Sequence, residues 1–226
     1  MKANTIYQMD CLDGIKQIQS NSVTLIIADP PYFLGMTHNG SKGSFVDLAI
    51  CKPFFLELFK EFKRILRPDG VVFYFTDWRG YAFYYPLFDS VLSAKNLIIW
   101  DKLSGPGSFY SYCHELILFH TSNTKLHLGG SNIWRNHSFG NEAKYTNGTK
   151  VHPTQKPKEL IQKMIEQHSQ IGDLICDPFC GSGTTALVAR TMKRDFIGFE
   201  LDLANFKIMR ERLQRDLTQI ETIDAT

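Results

Sequence analysis

The sequence contains no apolar run approaching the ~18 residues that a membrane-spanning helix needs. Its start, Met1–Asp10, carries one lysine and no apolar core, so no secretion signal is expected. Cysteine is sparse and unpatterned. Cys11, Cys51, Cys113, Cys176 and Cys180 are scattered and odd in number, and no CxxC pair occurs. That excludes a disulfide framework and a zinc ribbon, and no metal site is expected. Neither sign of charge dominates: 25 Lys and Arg against 23 Asp and Glu leave a net charge of +2. So balanced a sum does not by itself announce a polyanion partner. There is no internal repeat and no low-complexity tract. What remains is an ordinary globular composition, 43% hydrophobic and 21% charged over 226 residues. It predicts a cytosolic, reduced, single-domain protein with a real core.

Short apolar runs alternate with amphipathic stretches along most of the chain. Strands are predicted at Ile6–Met9, Val23–Ala28, Val71–Thr76, Leu97–Trp100, Glu115–His120, Leu174–Cys176 and Phe196–Phe199. These runs are almost continuously hydrophobic, as strands buried on both faces of a mostly parallel sheet should be. Helices are predicted over Cys51–Leu66, Gly80–Ala94, Pro157–His168, Thr184–Met192 and Leu203–Leu213. Pro68-Asp69-Gly70 reads as a turn that ends the first of them, and Pro157 as the first residue of a helix. The fold class is therefore α/β, a doubly wound, seven-stranded, mostly parallel sheet flanked by helices. Residues 121–150 break the rhythm, being rich in Asn, Gly, Ser, Thr and His without a period, and read as an insertion rather than scaffold. From 121 to 157, Lys125, Arg135, Lys144, Lys150 and Lys156 face one acid, Glu142. A solvated loop and a phosphate-contacting segment both fit that charge pattern.

Two turns carry chemistry. In Asp177-Pro178-Phe179-Cys180-Gly181-Ser182-Gly183-Thr184-Thr185 a strand ends, a glycine turn follows and a helix begins. Gly181 and Gly183 let the backbone turn sharply and lie close against a ligand. The next strand ends 23 residues after Asp177 at Glu200, where an acid can accept hydrogen bonds from ribose hydroxyls. The pattern suits a nucleoside cofactor. Thr184, Thr185 and Ala186 stand where a dinucleotide fingerprint would place its third glycine, and no GxxxxGK[ST] phosphate loop occurs. S-adenosylmethionine, which has no phosphate, fits best. The second turn is Asp29-Pro30-Pro31-Tyr32. Two prolines fix the carbonyl of Pro30 beside the Asp29 carboxylate, and Tyr32 adds a flat face. Two such acceptors would hold the hydrogens of an exocyclic base amine and localise its lone pair for attack on a methyl sulfonium.

Together these motifs resemble the beta group of DNA amino-methyltransferases, which methylate adenine N6 or cytosine N4 from S-adenosylmethionine. The group's [DNS]PP[YFW] motif matches Asp29–Tyr32, its DPFxGSGTT motif matches Asp177–Thr185, and its HPTQKP segment matches His152–Pro157. The matches span Asp10 to Glu200, nearly the whole chain. The resemblance implies catalytic roles for Asp29, Pro30, Pro31 and Tyr32. It implies cofactor contacts by Asp10 and Cys11, by Asp29, by His152, Thr154 and Gln155, by Asp177, Phe179, Gly181, Ser182, Gly183 and Thr184, and by Glu200. Target recognition would fall within 121–150, making Lys125, Arg135, Lys144 and Lys150 DNA contacts. A base flipped out of the duplex would stack on Tyr32 under the loop Phe33–Val46, with Lys42 as a further phosphate contact. Double-stranded DNA is the implied partner, with a homodimer and a cognate restriction endonuclease as further expectations.

No cysteine follows a proline, which disfavours a carbon-5 cytosine enzyme. Asp29 rather than serine at the head of the motif leans toward adenine within the family, with cytosine N4 as the alternative. An RNA or protein-amide methyltransferase and a non-catalytic cofactor-sensing DNA-binding module are the remaining readings.

Overall fold

The computed structural model describes residues 1–31, 48–107, 109–123, 129–136, 155–216 and 221–224, with short strands at 37–38, 41–42, 145–146 and 149–150. Strands β1 (Thr5–Gln8) and β2 (Val23–Ala28) open the chain, with α1 (Cys11–Ile15) between them. The two-residue strands β3 (Thr37–His38) and β4 (Ser41–Lys42) pair only with each other, before α2 (Leu48–Ile65). Then come β5 (Leu66–Thr76), α3 (Trp78–Leu92), β6 (Asn96–Asp101), β7 (His114–Thr121) and β8 (Ile133–Arg135). A second small ribbon, β9 (Tyr145–Thr146) with β10 (Thr149–Lys150), precedes α4 (Lys158–His168). The chain closes through β11 (Leu174–Asp177), α5 (Thr184–Thr191), β12 (Asp195–Glu200), α6 (Leu203–Asp216) and β13 (Glu221–Asp224).

Nine of these strands form one sheet in the order β13-β1-β12-β11-β2-β5-β7-β6-β8. Only β7 runs against its neighbours, pairing antiparallel with both β5 and β6. All seven strands expected from the sequence are present, so the doubly wound α/β class holds. Two edge strands were not anticipated. Between Val23↔Leu66 and Leu25↔Val71 the register shifts, so Pro68-Asp69-Gly70 is a bulge inside β5 rather than a free turn. The strand begins at Leu66, whose backbone already pairs with β2, and the extra residues loop out of the ladder. Pro157 caps α4 rather than opening it, with ψ at 141° still extended.

All six residues of β2, Val-Thr-Leu-Ile-Ile-Ala, are buried because helices cover both faces of the sheet. On one face α2 lays Phe55, Leu58, Phe59, Phe62 and Ile65 on the sheet, an i, i+3, i+4 stripe. Phe59 meets Tyr74 edge-on at 5.0 Å, and Phe55 meets Tyr84 at 5.0 Å. Each such ring buried contributes about 1.5–3 kcal/mol. On the other face α4 contributes Leu160, Ile161, Met164 and Ile165 at the same spacing. Two layers of side chains thus clamp the central strands, and the strand ends carry the chemistry. No helix among the described residues is long and apolar enough to cross a membrane.

Candidate active site

The parallel strands β1, β2, β11 and β12 all end at one rim of the sheet, and an acid follows or closes each: Asp10, Asp29, Asp177 and Glu200. Because β7 runs the other way, its first residues reach that rim too. Glu115 sits opposite Trp100, and His114 opposite Asp101.

The turn after β11 is built as the sequence suggests. Gly181 and Gly183 take positive φ values of 48° and 76°, in the left-handed region that side chains other than glycine rarely adopt. A Cβ on Gly183 would also sit 2.8 Å from the Met209 side chain. The Gly181 N–H donates to Glu200 Oε2 at 2.8 Å, so the glycine turn and the end of β12 are tied together. The Asp202 N–H donates to the other oxygen at 2.9 Å. Burial chiefly raises the Glu200 carboxyl above the ordinary range, against those two N–H donors. Asp177 is buried and accepts from the Phe179 N–H at 3.0 Å. Burial pushes its carboxyl up to about 7, with repulsion from Asp29 and Glu200 adding to the effect. Asp10 caps α1, accepting from the Leu12 N–H at 2.8 Å.

Thr184 is buried, and its hydroxyl lies 3.1 Å from Ser182 Oγ and 3.2 Å from Arg212 Nη1. Cys11 and Cys180 are buried, and burial holds both thiols far above the ordinary range, which fits packing residues. Phe179 is half-buried beside the turn. Asp177 is electrostatically coupled to Asp29 and Glu200, and acids gathered at one rim suit a ligand offering hydroxyls and positive charge better than a phosphate. That is the chemistry of a sulfonium nucleoside with an amino-acid tail.

Asp29 follows β2 directly, with Pro30 buried and Pro31 exposed. Its Oδ2 accepts from Lys156 Nζ at 2.6 Å. Lys156 Nζ also lies 3.3 Å from Glu115 Oε2, and Glu115 Oε1 lies 3.4 Å from Lys102 Nζ. Lys156 is buried over the rings of Phe75 and Trp100, at 5.0 and 6.0 Å from their centroids. Burial alone would lower its ammonium, but Asp29 and Glu115 outweigh burial and raise it above the ordinary lysine value. Sequence reasoning counted Lys156 only as one charge of a basic stretch and missed Glu115 and Lys102 altogether. The available signal was the lysine's place inside the His152–Pro157 motif.

Arg135 lies on β8, its Nε 3.3 Å from Asp101 Oδ2, with 70% of its side chain exposed. It stands at the same rim. Its strand corrects the reading of 121–150 as insertion alone: Ile133–Arg135 pairs with β6 and buries Trp134 in the core. Gln155 is buried next to Lys156. Tyr32, Lys125, Lys144, His152 and Thr154 lie outside the described residues, as do the side chains of Lys42 and Lys150 and most of the loop Phe33–Val46. Among the described residues no cluster of His, Cys, Asp and Glu could hold a metal ion. A cavity of about 1300 Å³ lies between Lys63, Asn96, Thr121 and His168 at the opposite end of the strands, away from these groups.

Residues 23–129 and 129–211 match the family of DNA methylases acting at N6 or N4. The chain belongs to this DNA methylase family. The methylase is 31% identical over 238 residues to the Type II methyltransferase M2.MboI of Moraxella bovis, covering 92% of this chain and 86% of that protein. It is 28% identical over 241 residues to the Type II methyltransferase M.HpaI of Haemophilus parainfluenzae, covering 95% and 76%. Its fold is similar to that of a Thermus thermophilus protein described as a DNA modification methylase and solved with S-adenosylmethionine. The two superpose with a TM-score of 0.70 at 20% identity, covering 98% of this chain and 99% of that one.

Proposed function

We propose that this methylase transfers a methyl group from S-adenosylmethionine to the N6 amine of adenine in DNA, acting on a base turned out of the duplex. The observation that carries the reading is the meeting, at one rim, of Asp29 on its proline turn with the Asp177–Gly183 turn and Glu200. What S-adenosylmethionine supplies when bound is an electrophilic methyl on a sulfonium. The chain does the rest. Gly181, Gly183 and Glu200 would hold the nucleoside, Asp177 would face the cofactor's positively charged end, and Asp10 would add an acceptor from the end of β1. Asp29 and the Pro30 carbonyl accept the hydrogens of the target amine, so that its lone pair is localised and faces the cofactor. Asp29 at the head of the motif favours adenine; cytosine N4 presents the same amine to the same acceptors.

The reading treats 1–226 as one methyltransferase domain, with target recognition in the part of 121–150 outside β8. Its partners are double-stranded DNA and, further off, a cognate restriction endonuclease and a second copy of the chain. The test is tritium transfer from labelled S-adenosylmethionine into unmethylated bacterial DNA. Asp29→Ala should lower the transfer rate by about 100-fold or more, the loss of one well-placed electrostatic partner, while cofactor affinity stays within about 2-fold. Full turnover by that variant would refute the role of Asp29.

A further inference from the structure

The Asp29–Lys156 pair belongs to a longer row of charges. Signs alternate from Lys102 through Glu115 and Lys156 to Asp29, with gaps of 3.4, 3.3 and 2.6 Å. The members are well shielded: the side chains of Lys102, Glu115, Lys156 and Asp29 are 15%, 14%, 9% and 24% exposed. Shielded ion pairs of this kind are often no more stabilising than apolar residues of the same volume, because each charge must first be stripped of water. Fold stability alone therefore does not call for the row. Its end on the one carboxylate positioned to touch the target amine does.

We infer that Lys156 is a positioning residue for methyl transfer: its ammonium keeps the Asp29 carboxylate ionised and aimed at the rim, as an acceptor for the target amine. The inference rests on the methyl-transfer reading above. Acidic neighbours of Asp29 act in the opposite sense. Asp177 is electrostatically coupled to it, while the buried hydroxyl of Tyr74 nearby stays neutral and brings no charge. Glu115, on β7, brings a further negative charge to the shared ammonium. A flipped base would also strip water from the exposed quarter of Asp29. Asp177, Glu115 and the lost water each favour a protonated carboxyl, which would offer an O–H donor where the amine needs an acceptor. Lys156 pulls the other way, its ammonium 2.6 Å from Asp29 Oδ2. It stands 127 residues from Asp29 in sequence, on the segment leading into α4. The fold, rather than a local turn, brings the two together.

The test is the pH dependence of single-turnover methyl transfer from tritiated S-adenosylmethionine to unmethylated bacterial DNA, with cofactor affinity measured alongside. Lys156→Met should lower the plateau rate by about 10- to 100-fold and move the acid limb up by about one pH unit or more. Cofactor affinity should change by less than about 2-fold. Lys156→Arg should restore the limb. Glu115→Gln, which removes the competing carboxylate, should move it down. Opposite shifts in the two variants are an electrostatic signature that packing alone cannot produce, and Glu115→Gln decides the matter should Lys156→Met fail to fold. Acid limbs that coincide with wild type in the folded variants would overturn the inference, whatever the plateau rates. A wild-type protein that transfers no methyl to DNA would sink the underlying reading instead.

Discussion

The proposed contact of Asp177 with the cofactor links binding to proton release. Burial raises the Asp177 carboxyl to about 7 in the free protein, so at pH 6.5 about three-quarters of the molecules carry a proton there, and at pH 8 about one-tenth. A ligand that places positive charge and hydrogen-bond donors beside Asp177 returns the carboxyl toward the ordinary carboxylate range. Binding should then release about 0.7 proton at pH 6.5 and about 0.1 at pH 8, and affinity should rise with pH up to about 7. Calorimetric titration of S-adenosylmethionine in phosphate and in Tris reads the difference, because the buffer that takes up the proton adds its own ionisation heat. The apparent enthalpies should diverge at pH 6.5 and converge at pH 8. Asp177→Asn should remove the divergence. Equal enthalpies in both buffers at pH 6.5, with binding demonstrated, would refute the placement of Asp177 against the cofactor's positive end.

Two further outcomes follow from the packing. A Cβ on Gly198 of β12 would collide with Cys180 Sγ, so Gly198→Ala should cost about 1–3 kcal/mol and lower Tm by about 2–4 °C per kcal/mol. The double variant with Cys180→Ala should recover most of the loss in a melting experiment, and a neutral Gly198→Ala would contradict the packing. Burial lowers the His168 imidazole to about 4, below its unfolded value near 6.5. The neutral ring is favoured in the fold, so its contribution is present above about pH 6.5 and up to about 3 kcal/mol is lost as pH falls toward 4. Urea unfolding at pH 7.5 and 4.5 should show a smaller acid loss for His168→Phe than for wild type; equal losses would refute the assignment.

The core strands were readable because burial on both faces leaves an uninterrupted apolar run, as in Val23–Ala28. The edge strands were not. Ile133–Arg135 has three residues, of which only Trp134 is buried, and it lies in a stretch of Asn, Ser and Gly that offers no period. Pro68-Asp69-Gly70 has turn chemistry, yet Leu66 pairs with Val23 before the bulge and holds the strand together across it. The site divided along similar lines. Asp29, Asp177 and Glu200 each stand at the end of a legible strand, so their meeting at one rim follows from a parallel sheet. Lys156 and Glu115 reach that rim for reasons outside any local pattern: an antiparallel strand delivers Glu115, and the approach to α4 delivers Lys156. Their partnership with Asp29 exists only once the sheet is assembled.

The most direct test of the central claim is to incubate the purified protein with unmethylated bacterial DNA and S-adenosylmethionine, digest the DNA to nucleosides and analyse them by mass spectrometry. The account requires N6-methyladenine to accumulate with time and enzyme, and to be absent with Asp29→Ala. N4-methylcytosine in its place would keep the mechanism and overturn the choice of base. Neither product, with cofactor binding demonstrated, would contradict the account.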